Sequence, residues 1–129
     1  MIEYKCFTDA SFKPDRVIGA FYIQHENTII KQSVRKLCAE SSSMAEAEII
    51  HKLLDYIALT IEKGAKVTIH TDHKGIVDYI KNTNNYSKGK KHKNLKKKYK
   101  RLKEFYELSI KYIPRRNNQK ADMLCRFGL

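Results

Sequence analysis

The chain has no tryptophan, only two prolines, and no apolar run long enough to span a bilayer. Its N-terminus lacks the charge and small-residue pattern of a secretory signal, so neither export nor membrane insertion is expected. Cysteine is scarce: Cys6, Cys38 and Cys125 are odd in number and show no metal-ligand spacing. That argues against a disulfide framework and a zinc site, and all three are expected to be reduced packing residues in a cytoplasmic protein. Acidic residues are also few, 14 against 26 lysines and arginines, for a formal net charge of +12. Such an excess favours polyanionic partners, nucleic acid above all, and a membrane surface less so. A length of 129 residues allows one domain with a core, here residues 1–129 acting as a monomer, with no linker or repeat dividing it.

What is present is organised as strands first and helices after. Ile2 to Asp9, Val17 to Gln24 and Thr28 to Leu37 are rich in β-branched and aromatic residues. Turns at Lys13-Pro14-Asp15 and Glu26-Asn27 join them into an antiparallel meander. Ser41, Ser42 and Ser43 offer N-caps for a helix from Met44 to Lys63, stopped by Gly64. Val67 to Thr71 reads as a strand and Lys74 to Lys81 as a short helix. Asn82 to Lys93 is polar and irregular, and Leu95 to Leu108 is helical. A strand over Ser109 to Ile113 and a helix from Asn118 to about Gly128 complete the order βββαβααβα. This predicts an α/β fold, one five-stranded mixed sheet with three antiparallel and two parallel strands and helices on both faces.

Two of the strand-like runs end in the same dipeptide, Thr8-Asp9 and Thr71-Asp72. Ligand sites of open α/β sheets lie at the carboxyl ends of strands, so both carboxylates are candidates to face one crevice. At ~100° per residue, Glu46 falls within the apolar stripe of Ile49, Ile50, Leu53 and Ile57. Glu48 projects the other way, with Lys52, Asp55 and Glu62, onto the face expected to be solvated. A carboxylate on a buried face calls for a cation, a pKa shift or a water-open helix end. Asp122, early in the last helix, reads alone as compensation of the helix dipole, but joins the other three because each stands at an element end. An all-oxygen set of Asp9, Glu46, Asp72 and Asp122 suits Mg²⁺ or Mn²⁺ and not zinc.

On these residues the chain resembles ribonuclease H of type 1, in its compact form within the ribonuclease H-like superfamily. Thr8-Asp9-Ala10-Ser11 is similar to the family's first-strand motif, and Met44-Ala45-Glu46 to the start of its first helix. Thr71-Asp72 followed by Gly75-Ile76-Val77 is similar to its fourth strand and next helix. Ile113 to Asp122 resembles the closing motif of compact members, with Asn118 four residues before Asp122. The resemblance implies a metal-dependent endoribonuclease that hydrolyses the RNA strand of an RNA–DNA hybrid, leaving 5′-phosphate products. It implies two Mg²⁺ ions, roughly 3.5–4 Å apart, with Mn²⁺ as a substitute. Asp9 would bridge them, Glu46 and Asp72 would hold the leaving-group ion, and Asp122 the nucleophile-side ion.

The chain departs from larger members in having no room for their His-containing loop before the last helix, which leaves Arg115 or Arg116 as functional replacements. Ser42 and Ser43 stand where many members have Asn, and with Ser11 they are candidates to contact a 2′-OH. His73, where Ser is common, is read as an exposed bystander. From Lys88 to Lys103 the basic run has no acidic interruption. Lys90, Lys91, Lys93 and Lys97 in that run are assigned to substrate phosphates, with Asn118 a further substrate contact. The run lies where larger members carry a basic handle; without tryptophan, Tyr86 and Tyr99 could replace its aromatic part only partly. Phosphate contacts position without specifying sequence, so binding should be sequence-tolerant and salt-sensitive. Two alternatives differ in class. A proofreading-type exonuclease would need Glu where Ser11 stands. A catalytically weak or inactive module would bind hybrid or double-stranded RNA without cutting it.

Overall fold

The computed structural model describes residues 1–82 and 89–128. Five strands form one sheet in the order β3-β2-β1-β4-β5. These are β1 (Glu3–Lys13), β2 (Arg16–His25), β3 (Thr28–Lys36), β4 (Lys66–Thr71) and β5 (Glu107–Tyr112). The first three pair antiparallel, and β4 and β5 add parallel strands beside β1. Glu26 and Asn27 both adopt positive φ, 49° and 65°. That backbone twist matches the flanking strands and closes the β2–β3 hairpin in two residues.

Helices α1 (Ser42–Thr60), α2 (Lys74–Lys81), α3 (Lys90–Leu102) and α4 (Gln119–Phe127) cover the sheet on both faces, as the apolar pattern predicts. The main core joins Cys6, Phe21, Ile23, Val67 and Ile69 of the sheet to Ile49, Ile50, Leu53 and Ile57 of α1, with Leu95 and Tyr99 of α3 behind them. A smaller cluster of Ile18, Ala20 and Cys125 lies under α4. No helix among the described residues is long and apolar enough to cross a membrane.

Several boundaries differ from the sequence reading, each for a packing reason. β1 runs on to Lys13, because Asp9 to Lys13 keep pairing with Ala20 to Arg16 after β4 has ended. Asp9 is therefore not last on its strand; it is the first β1 residue beyond the β1–β4 ladder. α1 stops at Thr60, not Lys63, because buried Ile61 turns extended into the core. The Tyr106 hydroxyl lies 2.8 Å from the Ile61 carbonyl, to which it donates, and 3.1 Å from that of Ile57, beside the helix end. α3 begins at Lys90, so Lys90 to Lys93 are helical, because buried His92 extends the stripe of Leu95, Tyr99 and Leu102 one turn back. It ends at Leu102, since Glu107 to Tyr112 are claimed by pairing with Lys66 to Thr71. Ser41 is the α1 cap, its Oγ accepting from the Met44 N–H at 3.1 Å. Cys6 and Cys125 are buried thiols, whereas Cys38 is exposed and not a packing residue.

Candidate active site

The last rung of the β1–β4 ladder pairs Thr8 with Thr71. Each is followed by an aspartate, so the register itself brings Asp9 and Asp72 to one end of the sheet. Glu46, in the second turn of α1, is only 2 % exposed, and its Oε1 accepts from Thr8 Oγ1 at 2.7 Å and Thr71 Oγ1 at 2.8 Å. The helix phase thus selects the inward carboxylate correctly. The two threonines, which carried no chemical assignment in the sequence, are its partners. Their signal was the repeat: the same hydroxyl residue precedes both aspartates.

The neighbouring acids act on both Asp9 and Glu46. The Asp9 carboxyl is pushed up to about 8, by burial first and then by the charges of Asp72, Glu46 and Asp122, against a backbone hydrogen bond from Ala10. Glu46 is pushed up to about 7 by burial, with Asp72 adding and the two threonine hydroxyls opposing. The Cys125 thiol is raised by burial and then by all four carboxylates, and it donates to the Asp9 carbonyl at 3.3 Å. Asp72 and Asp122 are half-buried, the latter paired with Arg126 at 3.2 Å one turn along α4.

Asn118 lies within this cluster and is 1 % exposed. Its Nδ2 donates to the Thr8 carbonyl at 2.7 Å and lies 3.5 Å from Asp72 Oδ2, so it ties β1 and the turn after β4 to the start of α4. The residue expected to contact substrate thus ties the site together from within. His73 is likewise no bystander: half-buried, it caps α2, its Nδ1 accepting from the Ile76 N–H at 3.2 Å.

The donor set fits a hard divalent ion chemically: all oxygen, mutually repelling, and partly desolvated. Charge on Asp9 in particular is opposed by burial and by the neighbouring carboxylates, a field that a cation would offset. The carboxylates are nevertheless not drawn into a closed shell, and among the described residues no three His, Cys, Asp or Glu side chains stand close enough to form a ready metal group.

The substrate candidates divide into exposed and engaged groups. Lys90, Lys93, Lys97, Arg115 and Arg116 are exposed, as is Ser42, and Ser11 is half-buried on β1. Ser43 is engaged: its Oγ lies 2.7 Å from His92 Nε2, tying α1 to α3. Lys91 is engaged too, pairing with Glu48 and the Cys38 carbonyl. Glu48 is therefore not on a solvated face, because α3 lies against that side of α1. Lys98 pairs with Asp55, and the Lys96 ammonium lies 4.8 Å from the Tyr79 ring centre. Lys88 and Tyr86 lie outside the described residues.

A β3-β2-β1-β4-β5 sheet with acids on β1, α1 and α4 and just after β4 is the ribonuclease H-like fold. The chain belongs to the reverse transcriptase-like family, whose model matches residues 8–128. Ribonuclease H1 from the halophilic archaeon Halobacterium salinarum NRC-1 superposes with a TM-score of 0.81 at 11% identity, over 98% of this chain and 99% of that one. LC11-RNase H1, isolated from compost, gives 0.83 at 18%, over 96% and 93%. Its complex with RNA/DNA hybrid gives 0.79 at 19%, over 94% and 92%. At these identities the likeness establishes the fold. No curated protein sequence matches the chain.

Proposed function

We propose that the chain is a divalent-metal-dependent ribonuclease H that hydrolyses the RNA strand of an RNA–DNA hybrid. The observation that carries this reading is geometric: the Thr8–Thr71 rung sets Asp9 and Asp72 at one end of the sheet, Glu46 bonds to both threonines, and Asn118, at the start of the helix bearing Asp122, reaches Asp72. Support comes from the structural likeness to a ribonuclease H1 described in complex with RNA/DNA hybrid.

Two divalent ions, Mg²⁺ or Mn²⁺, held by these four carboxylates would supply Lewis-acid charge and an activated water for attack at phosphorus. The chain's own residues perform the rest. Asn118 holds the Asp72 side chain near the β1 backbone, so the acids are positioned from four elements at once. The exposed stripe of Lys90, Lys93 and Lys97 on α3 binds phosphates by charge and leaves sequence unread. Arg115 and Arg116, in the 3₁₀ turn just before Asn118, place guanidinium groups at the entry to α4. Ser11 and Ser42 offer hydroxyls to a ribose 2′-OH, the group that separates RNA from DNA. The protein acts as a monomer in a reducing cytoplasm, where its buried Cys6 and Cys125 stay as thiols.

A second reading is a module that grips hybrid or double-stranded RNA without cutting it, through the exposed lysines Lys90, Lys93 and Lys97 of α3. One experiment separates the two. End-labelled hybrid, duplex RNA and duplex DNA are each incubated with the chain in Mg²⁺, Mn²⁺ or chelator. Metal-dependent loss of the hybrid's RNA strand alone is expected. Gel shifts without cleavage in any metal would establish the binding module instead.

A further inference from the structure

Thr8 and Thr71 are opposite one another in the parallel register, so their side chains emerge on the same face of the sheet. Both are fully buried, and both hydroxyls reach the same atom, Oε1 of Glu46, at 2.7 and 2.8 Å. A threonine hydroxyl has one proton to donate, and here both protons go to one carboxylate oxygen. Bonds to an ionised acceptor are the stronger kind, and two of them fix the carboxylate plane as well as its position. Oε1 is thereby occupied, and Oε2 is the oxygen left for a further partner.

We propose that Thr8 and Thr71 are positioning residues that set which oxygen of Glu46 is presented to a divalent cation. The inference rests on the metal-dependent reading above and goes beyond it by assigning the Thr-Asp repeat a purpose. Each threonine is joined to its own aspartate by one peptide bond, so the clamp fixes Glu46 relative to Asp9 and Asp72 together. Its outer connections reinforce this. Thr71 Oγ1 also accepts from the His73 N–H at 3.1 Å, holding the turn that bears Asp72. The Thr8 carbonyl accepts from Asn118, which begins α4 and its Asp122. The competing explanation is that the hydroxyls only solvate a buried carboxylate and matter for folding alone.

Serine and valine replacements separate the two. Serine keeps the hydroxyl and loses the methyl; valine keeps the shape and loses the hydroxyl. Mn²⁺ binding is measured by calorimetry on the full chain without nucleic acid, beside melting in chelator, for Thr8→Ser, Thr8→Val, Thr71→Ser and Thr71→Val. Altering a group that orients a metal ligand typically costs roughly 10–100-fold in metal affinity, so the valine variants should bind Mn²⁺ at least about tenfold more weakly. The serine variants should recover most of that loss even where their melting temperature falls. Valine variants that bind like wild type would overturn the proposal, and so would serine and valine variants that weaken in step with their stability.

If a valine variant fails to fold, proton NMR of the wild type provides the test. The Thr8 and Thr71 hydroxyl protons should remain protected from exchange both before and after Mg²⁺ addition. Their loss on Mg²⁺ binding would overturn the clamp. A wild-type chain that binds Mn²⁺ yet cuts no hybrid would defeat the nuclease reading and leave the clamp standing. One that binds no Mn²⁺ would overturn both.

Discussion

Gly19 of β2 lies directly beneath Ile49 of α1: a Cβ on the glycine would stand 2.8 Å from the Ile49 Cβ and 2.7 Å from Leu37 Cδ1. Strand and helix meet there with room for a hydrogen and nothing larger. Ile49 is on the same buried face as Glu46, one turn further along α1, so this packing sets the height of the helix that carries the acid. Gly19→Ala is expected to lower stability by about 1–3 kcal/mol through overpacking. It should also weaken Mn²⁺ binding as α1 is lifted. Denaturant melts beside a Mn²⁺ isotherm would check both, and an unchanged isotherm in a destabilised variant would show that Glu46 does not depend on this close approach.

Asp9 and Glu46 make a pH prediction with a definite sign. Both carboxyls titrate higher in the fold than in the unfolded chain, to about 8 and about 7. The folded state thus holds more protons in that window, and its stability is fully present at low pH and lost as pH rises towards 8. In chelator, the melting temperature should fall between pH 5 and pH 8. A loss on the order of 1 kcal/mol corresponds to roughly 3–6 °C for a domain of this size. Asp9→Asn should flatten that slope, and added Mg²⁺ should restore stability most at the alkaline end. A flat profile in wild type would refute the buried-acid picture.

Asp9→Asn should also abolish the proposed cleavage while sparing the fold. Changing a partner behind a metal ligand costs roughly 10–100-fold, so losing the ligand itself should cost at least about a hundredfold in rate. Single-turnover cleavage of a labelled hybrid measures it, and a wild-type rate would remove Asp9 from the site.

Glu46 and Glu48 should respond oppositely. Glu46→Gln is expected to remove cleavage and to raise stability in chelator above pH 7, where its charge is unfavourable. Glu48→Gln should leave cleavage intact and cost no more than about 1 kcal/mol, the usual worth of a partly exposed pair such as Glu48 with Lys91. Paired melts and rates decide it; loss of cleavage in Glu48→Gln alone would invert the assignment.

The lysines of α3 should divide in the same manner. Lys93→Glu and Lys97→Glu remove exposed charge, and for each phosphate left without its lysine the slope of log affinity against log salt should become shallower by about 0.9. Lys91→Glu and Lys98→Glu would instead set like charges against Glu48 and Asp55 and show mainly as lower stability. Anisotropy titrations of labelled hybrid across a salt series, in the Asp9→Asn background, test the division. Equal effects of all four on the slope would mean that the internal pairs open on binding.

Much of the frame was legible because it is periodic. The β-branched and aromatic content of β1 to β3 and the periodic stripe of Ile49, Ile50, Leu53 and Ile57 made element order, sheet composition and the inward direction of Glu46 legible. The ends were less legible. Nothing local in Glu62 or Lys63 ends α1 early; Ile61 does so because Tyr106, 45 residues on, takes its carbonyl. His92 looked like part of a polar stretch until its spacing to Leu95 and Tyr99 placed it on the buried side of α3.

The sequence by itself determined that the two Thr-Asp pairs would stand on strand-forming runs and that Glu46 would face inward, since both follow from local period and residue type. Tertiary structure alone decided what the threonines do. A hydroxyl's partner depends on the register of β1 against β4 and on the height of α1 above them, and those are set by packing between residues far apart in the chain. The same reason gave Glu48, Lys91, Ser43 and Asn118 partners inside the fold: each is defined by a neighbour that only folding brings near.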